Sequence, residues 1–164
     1  DGDGSLAAPS TKLSFRDLTD ADGWWSSGDA ARLQGSMETP QLTLLGRLDG
    51  AIHSGGITVF PEQLEVRLMA AARVVGLPLK AVLFLGVQDL EWGERLVALV
   101  RWQDAAYPPD AAEALLLRLK TLTDRWLPPE RPQRWYHCAE LVVTSAGKWE
   151  RARWLAWLKD SEHS

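Results

Sequence analysis

One cysteine, Cys138, stands in the 164 residues, so no internal disulfide can form and the fold must be held by packing. Histidine is nearly as scarce. His53, His137 and His163 are scattered, and with one cysteine they give no zinc-ligand spacing, so no metal site is expected. No apolar run is long enough to span a bilayer, which argues against a transmembrane segment. The first residues are acidic and small, so no signal peptide is expected. A net charge of −4 lacks the basic excess of a general nucleic-acid binder. No Gly-Lys-Ser/Thr follows a glycine-rich stretch, which excludes a Walker phosphate loop. The histidines have no nucleophile elbow beside them, so a Ser-His-Asp triad has no support.

What is present is an ordinary globular balance, 46% hydrophobic and 24% charged, with length for one sizeable core. Tryptophan is the exception, at nine residues. Trp135, Trp149, Trp154 and Trp157 cluster near the end, among basic residues such as Arg134, Lys148, Arg151 and Arg153. Interleaved Trp and Arg can stack bases and contact phosphates. They can equally be core anchors with a solvated basic rim.

The pattern along the chain predicts its elements. Residues 1–11 read as a lead-in, Leu13–Leu18 alternates like a short strand, and Asp22-Gly23 turns into Trp24-Trp25. Ala31–Leu33 and Gln41–Leu45 read as a hairpin, and Ala51–His53 as a further strand. Pro61–Val75 is predicted helical, with Leu64, Leu68 and Ala72 on one face. Ala81–Val87 and Leu96–Trp102 are apolar enough to be buried strands. Asp110, with Glu113 three residues on, resembles a capping box opening a helix whose apolar face is Leu115, Leu119, Leu122 and Trp126, ended by Pro128-Pro129. Arg134–Leu141 reads as a strand. A last helix is expected from about Lys148, with the pattern Trp149, Ala152, Leu155 and Ala156, and with Trp154, Trp157 and Leu158 adding bulk. Helix, strand, strand, helix, strand, helix makes an α+β fold with helices packed on a small mixed sheet.

Lys148 is placed against a local rule. Thr144-Ser145-Ala146-Gly147-Lys148 runs into the last helix, whose exposed N–H groups and aligned dipoles prefer an anion. A lysine there makes sense if a phosphate or carboxylate binds both, although a surface lysine opening a helix fits the same residues. Three further segments could carry chemistry. Ser27-Gly28-Asp29 places a carboxylate that can accept two hydroxyl hydrogen bonds, or is simply a turn. Gly46-Arg47-Leu48-Asp49 offers a planar guanidinium fork to phosphate or ribose oxygens, and Asp49 beside Gly50 can be a hinge; a hairpin turn with a surface ion pair is the alternative. Ser54-Gly55-Gly56 permits close approach of a ligand to backbone, or is a turn.

In this order, with Pro61-Glu62 after the glycine pair and Asp89-Leu90-Glu91-Trp92-Gly93-Glu94 before the lysine segment, the chain resembles the adenylate-forming superfamily from about Trp24 onward. That superfamily holds acyl-CoA synthetases, peptide-synthetase adenylation domains and luciferases. Gly-Arg-Leu-Asp followed by Ser-Gly-Gly looks most like the o-succinylbenzoate–CoA ligases of menaquinone and phylloquinone synthesis. There are departures. Gly56-Ile57-Thr58-Val59-Phe60-Pro61 stands where many relatives have Gly-Glu-Asn-Ile-Tyr-Pro, and a proline common before the lysine loop is missing near Val143.

The resemblance implies a fragment: residues 1–48 as the last β-rich part of a large N-terminal domain, and residues 49–164 as a small C-terminal lid. A carboxylic acid, here an aromatic one, would be adenylated by ATP and then passed to CoA. Lys148 would be catalytic, Asp29 and Arg47 would bind the nucleotide, and Asp49 would be the hinge. Ser54, Gly55, Gly56 and Trp92 would line the pantetheine channel. Mg2+ would accompany ATP, with no protein cage. The partners expected are ATP and AMP, the acid, CoA and the missing N-terminal domain, in the cytoplasm, with neither nucleic acid nor membrane; the fragment alone is expected to be inactive. A peptide-synthetase-type adenylation domain and a non-catalytic Trp/Arg-rich binding module are the alternatives.

Overall fold

The computed structural model describes residues 5–9, 24–36, 38–104 and 107–162. The chain divides into two compact units, Asp1–Ala51 and Ile52–Ser164.

The first unit is an antiparallel sheet in the order β1 (Ser5–Pro9), β2 (Trp24–Gly35), β3 (Pro40–Arg47). The lead-in is therefore partly a strand. The strand expected at Leu13–Leu18 and the turn at Asp22-Gly23 lie outside the described residues. The β2–β3 hairpin is there, longer than its apolar alternation suggested, and Ser36 and Thr39 close its turn through their hydroxyls at 3.0 Å. Gly28-Asp29 is not a turn. It lies within β2, where Gly28 takes φ 71° and the register with β3 shifts between Ala30 and Ala31. A glycine supplies the left-handed kink that lets a strand bulge without ending.

The second unit begins with a small hairpin, β4 (Ile52–Ser54) and β5 (Ile57–Val59), turning through Gly55-Gly56. The β5 strand is not among the expected elements, although Ile57-Thr58-Val59 after a glycine pair has the β-branched composition of a second hairpin arm. Next come α1 (Pro61–Val74), β6 (Leu79–Asp89), β7 (Gly93–Trp102), α2 (Pro109–Thr121), β8 (Arg134–His137) and α3 (Arg151–Glu162). The sheet runs β5-β4-β7-β6, with β8 alongside β7. All pairings are antiparallel except β7–β8, which is parallel and uses α2 as its crossover.

The apolar runs of β6 and β7 have a physical reason, since both faces are covered. On one face Val82, Phe84, Leu96 and Val100 meet Leu64, Leu68 and Ala72 of α1, Leu119 of α2, and Trp126. On the other, Leu83, Leu85, Val97 and Leu99 meet Cys138, Leu141, and Trp154 and Leu158 of α3. Helices on both sides of a small mixed sheet make the α+β architecture that the periodicity predicts.

Element ends differ more than element types. The Asp110–Glu113 capping box does not form, because α2 starts on Pro109 with no side-chain cap, a position that suits proline. The same helix stops at Thr121, before the prolines. Thr121 and Thr123 donate their hydroxyls to the Arg118 and Lys120 carbonyls, while Leu122 and Trp126 pack from the turns beyond. The strand expected to reach Leu141 ends at His137. In α3 the buried face is Trp154 and Leu158, while Ala152 and Ala156 are exposed. The bulk of the two larger side chains set the rotation of the helix, which the small alanines could not.

Candidate functional site

In the first unit the structure brings Asp29, Arg47 and Asp49 together. Asp29 and Arg47 are cross-strand partners on β2 and β3. The Asp29 N–H donates to the Ser27 hydroxyl at 3.1 Å, and Asp29 is half-buried on the central strand of its sheet. Arg47 ends β3 and forks onto Asp49 in the following 3-10 turn, Nε to Oδ1 at 2.8 Å and Nη2 to Oδ2 at 2.7 Å. That guanidinium holds the Asp49 carboxyl below its usual range. Both side chains of the pair are more than half exposed, so an incoming anion can compete for the fork.

Lys148 lies in a different setting from the one expected. The last helix begins at Arg151, so Lys148 is not in its first turn. It closes a loop instead. The Lys148 N–H donates to the Thr144 hydroxyl at 3.1 Å, the Thr144 N–H donates to the Lys148 carbonyl at 2.8 Å, and the Gly147 N–H donates to the Thr144 carbonyl at 2.9 Å. Gly147 takes φ 73° with open space around it. The loop is exposed, and among the described residues nothing pairs with its ammonium. Thr144 and Gly147 therefore hold the lysine out on a closed arch.

Ser54, Gly55, Gly56 and Trp92 do converge. Ser54 pairs with Gly93, the Gly55 N–H donates to the Trp92 carbonyl at 2.9 Å, and the Trp92 ring lies over Gly55. A Cβ on Gly55 would sit 2.7 Å from Trp92 Cε3, so only glycine fits. Asp89 fixes the ring's approach by accepting from the Glu91 and Trp92 N–H groups at 3.0 and 2.9 Å. Arg95 lies over the ring with its guanidinium carbon 4.4 Å from the centroid. Glu94 accepts from the His53 N–H at 2.8 Å and locks β4 in place. Gly56 is open, and the Ser54 hydroxyl is buried without a partner. Ile57 and Thr58 lie exposed on β5.

Comparison with known proteins places these three groups in context. No family model matches the chain. The 2-succinylbenzoate–CoA ligase of Enterococcus faecalis is 31% identical over 136 residues, covering 82% of this chain and 25% of that protein. The Escherichia coli ligase of the same name is 33% identical over 117 residues, covering 69% of this chain and 24% of that protein. Among solved structures, the o-succinylbenzoate–CoA synthetase of Bacillus subtilis, in complex with its acyl-adenylate intermediate, superposes with a TM-score of 0.64. That superposition covers 88% of this chain and 27% of the other, at 21% identity. The chain belongs to the adenylate-forming superfamily. It matches the C-terminal part of the superfamily's enzymes and spans about a quarter of the length of the curated relatives it matches.

Two residues of this adenylate-forming chain carry more than the sequence announced. Glu65 reads as a first-turn helix residue, and Arg151 as part of a basic rim. In the fold, Arg151 Nη1 donates to the Phe84 carbonyl at 2.6 Å, and its Nη2 donates to Glu62 Oε1 at 2.9 Å and Glu65 Oε1 at 3.2 Å. Glu65 Oε1 also accepts from the Phe84 N–H at 3.0 Å. Burial raises the Glu65 carboxyl above its ordinary value, against the pull of Arg151 and the Phe84 N–H. The available signal was Arg151 at a helix N-terminus, where a cation is unfavourable without acidic partners.

Other expected roles resolve simply. The tryptophans of the basic end are core: Trp154 is buried, and Trp135, Trp149 and Trp157 are packed against the two cores. They form no exposed stacking platform for bases. Cys138 is buried, and burial pushes its thiol up to about 11, as suits an inert core residue. Among the described residues no three His, Cys, Asp or Glu side chains converge to hold a metal ion, and no helix is long and apolar enough to cross a membrane.

Proposed function

We propose that this chain is the mobile lid, with the strands that precede it, of an AMP-forming acyl–CoA ligase whose acid is o-succinylbenzoate, working in the cytoplasm. Residues 1–48 are read as the end of the large domain and residues 49–164 as the lid. The observation that carries this reading is Lys148, an unpaired ammonium on an exposed arch, in a unit separate from the one that holds Asp29 and Arg47.

In the first half-reaction the acid's carboxylate oxygen bonds to the α-phosphorus of ATP. The bond from that phosphorus to the bridging oxygen breaks, and pyrophosphate leaves with the electron pair. Asp29 accepts the ribose hydroxyls and Arg47 exchanges its fork from Asp49 to the nucleotide. Lys148 spans the attacking carboxylate and the phosphoryl oxygens, stabilising charge that grows in the transition state. Mg2+ would accompany ATP and offset the charge of its phosphates. In the second half-reaction the lid turns about Asp49. The CoA thiol, losing its proton, bonds to the acyl carbon as AMP leaves. Ser54, Gly55 and Gly56 admit the thin pantetheine arm where a side chain would block it, and Trp92 walls the passage.

The test is a split of half-reactions in the natural full-length protein. Lys148→Ala is expected to lower ATP–pyrophosphate exchange with o-succinylbenzoate by at least about 100-fold, while thioester formation from supplied acyl-adenylate stays within about twofold. Equal losses in both steps would sink the role given to Lys148, and exchange supported equally by an unrelated acid would remove the substrate assignment.

A further inference from the structure

The lysine arch is attached to the second unit at two feet. Upstream, Leu141 is buried and its carbonyl accepts from Arg101 Nη1 at 3.3 Å. Downstream, Trp149 packs against the core and Arg151 opens α3. Between them the bonds of the Thr144–Lys148 loop are its own. The orientation of Lys148 is therefore decided at the feet.

Arg151 is the stronger foot. Among the described residues β6 is an edge strand, with β7 as its one partner. At Phe84, Arg151 takes the carbonyl and Glu65 takes the N–H, so two side chains satisfy backbone groups that a neighbouring strand would otherwise claim. One guanidinium thus joins α3 to three points on two other elements, the first turn of α1 through Glu62, its second through Glu65, and the middle of β6. A planar fork can do this, whereas an ammonium cannot reach all three in fixed directions. The clasp sits three positions from Lys148, within about 10 Å of extended chain.

We propose that Arg151 is a positioning residue for Lys148, its clasp on Phe84, Glu65 and Glu62 aiming the lysine arch during adenylation. This rests on the role of Lys148 proposed above.

The experiment uses the natural full-length protein with o-succinylbenzoate, ATP and the supplied acyl-adenylate. Arg151→Gln is expected to lower kcat of pyrophosphate exchange at least about tenfold, with KM for ATP and thioester formation each within about twofold. Arg151→Lys, which keeps charge without the fork, is expected to fall between. Unchanged exchange, or both half-reactions falling together, overturns the proposal. If Arg151→Gln does not fold, as judged by circular dichroism, Glu62→Gln and Glu65→Gln combined with Arg151→Gln neutralise all three charges of the clasp and carry the same expectation. Lys148→Ala separates the two readings. Exchange lost in Lys148→Ala but intact in Arg151→Gln refutes the positioning role alone. Exchange intact in Lys148→Ala refutes the role of Lys148 and this proposal with it.

Discussion

The Thr144–Lys148 and Ser54–Gly56 loops both turn on glycines in the left-handed region, yet they are built for opposite ends. Around Gly147 nothing lies within reach of an added Cβ, and the loop's bonds are internal. Around Gly55 the Trp92 ring fills that space, Asp89 fixes the ring's backbone and Arg95 lies over the ring. One loop is an open arch that holds a charge out; the other is packed against an aromatic ring. The same backbone need for glycine tells nothing about which of the two a glycine serves.

The contrast can be broken by substitution. Its largest expression is kinetic. Lys148→Ala should cost adenylation at least about 100-fold and leave the urea midpoint unmoved, because the side chain packs on nothing. Gly55→Ala should do the reverse at the packed loop. It adds a left-handed alanine to a 2.7 Å collision with the ring, a loss of about 2–4 kcal/mol. Trp92→Ala in that background should recover part of the loss, since neighbours that share a space are not additive. Denaturant midpoints of the two single variants and the double one decide it; a Gly55→Ala loss no greater than that of Gly147→Ala would show that the ring yields.

Glu65, under the arch's downstream foot, gives a pH signature. Its folded pKa is raised by burial above the ordinary 4.5, so the folded state binds more protons than the unfolded one between those values. Stability should fall as pH rises through that window, by at most about 1.4 kcal/mol per pH unit, and stay level with respect to this group below it. Glu65→Gln should remove this fall when urea midpoints are followed upward from about pH 4; a fall that persists in the variant belongs to another group. The smallest effect is expected at Gly147→Ala, about 1 kcal/mol, from backbone strain alone. A larger loss at Gly147 would mean that the arch is packed in solution and the comparison is wrong.

Much of the fold could be read from the chain, and the reason is visible in the core. β6 and β7 are covered on both faces, so their sequences are nearly continuous apolar runs, and Leu64, Leu68 and Ala72 fall on one helical stripe because that stripe is buried. Where a single long-range partner decides the outcome, periodicity was silent. Asp110 and Glu113 have the spacing of a cap, but Pro109 opens the helix one residue earlier. Ala152 and Ala156 have the spacing of a buried face, but Trp154 and Leu158 bury more area. Gly28-Asp29 has the composition of a turn, but pairing with β3 keeps it in a strand. The lysine segment, the Arg47–Asp49 pair and the glycine pair could be found by residue type and order. The clasp of Arg151 could not, because Glu65 and Phe84 come from distant parts of the chain.

The parallel alignment of β8 with β7 has a consequence for the order in which the second unit assembles. The β6–β7 hairpin closes over the short turn at Leu90–Trp92, while β8 can join only after residues 103–133 have been laid across the sheet. Pairings between distant segments pay their loop entropy before they gain contacts, so the hairpin with α1 is expected to nucleate and the last strand and α3 to dock late. Lys148 thus rides on the part of the chain expected to be fastened last, which is also the part whose partial release would disturb the nucleus least.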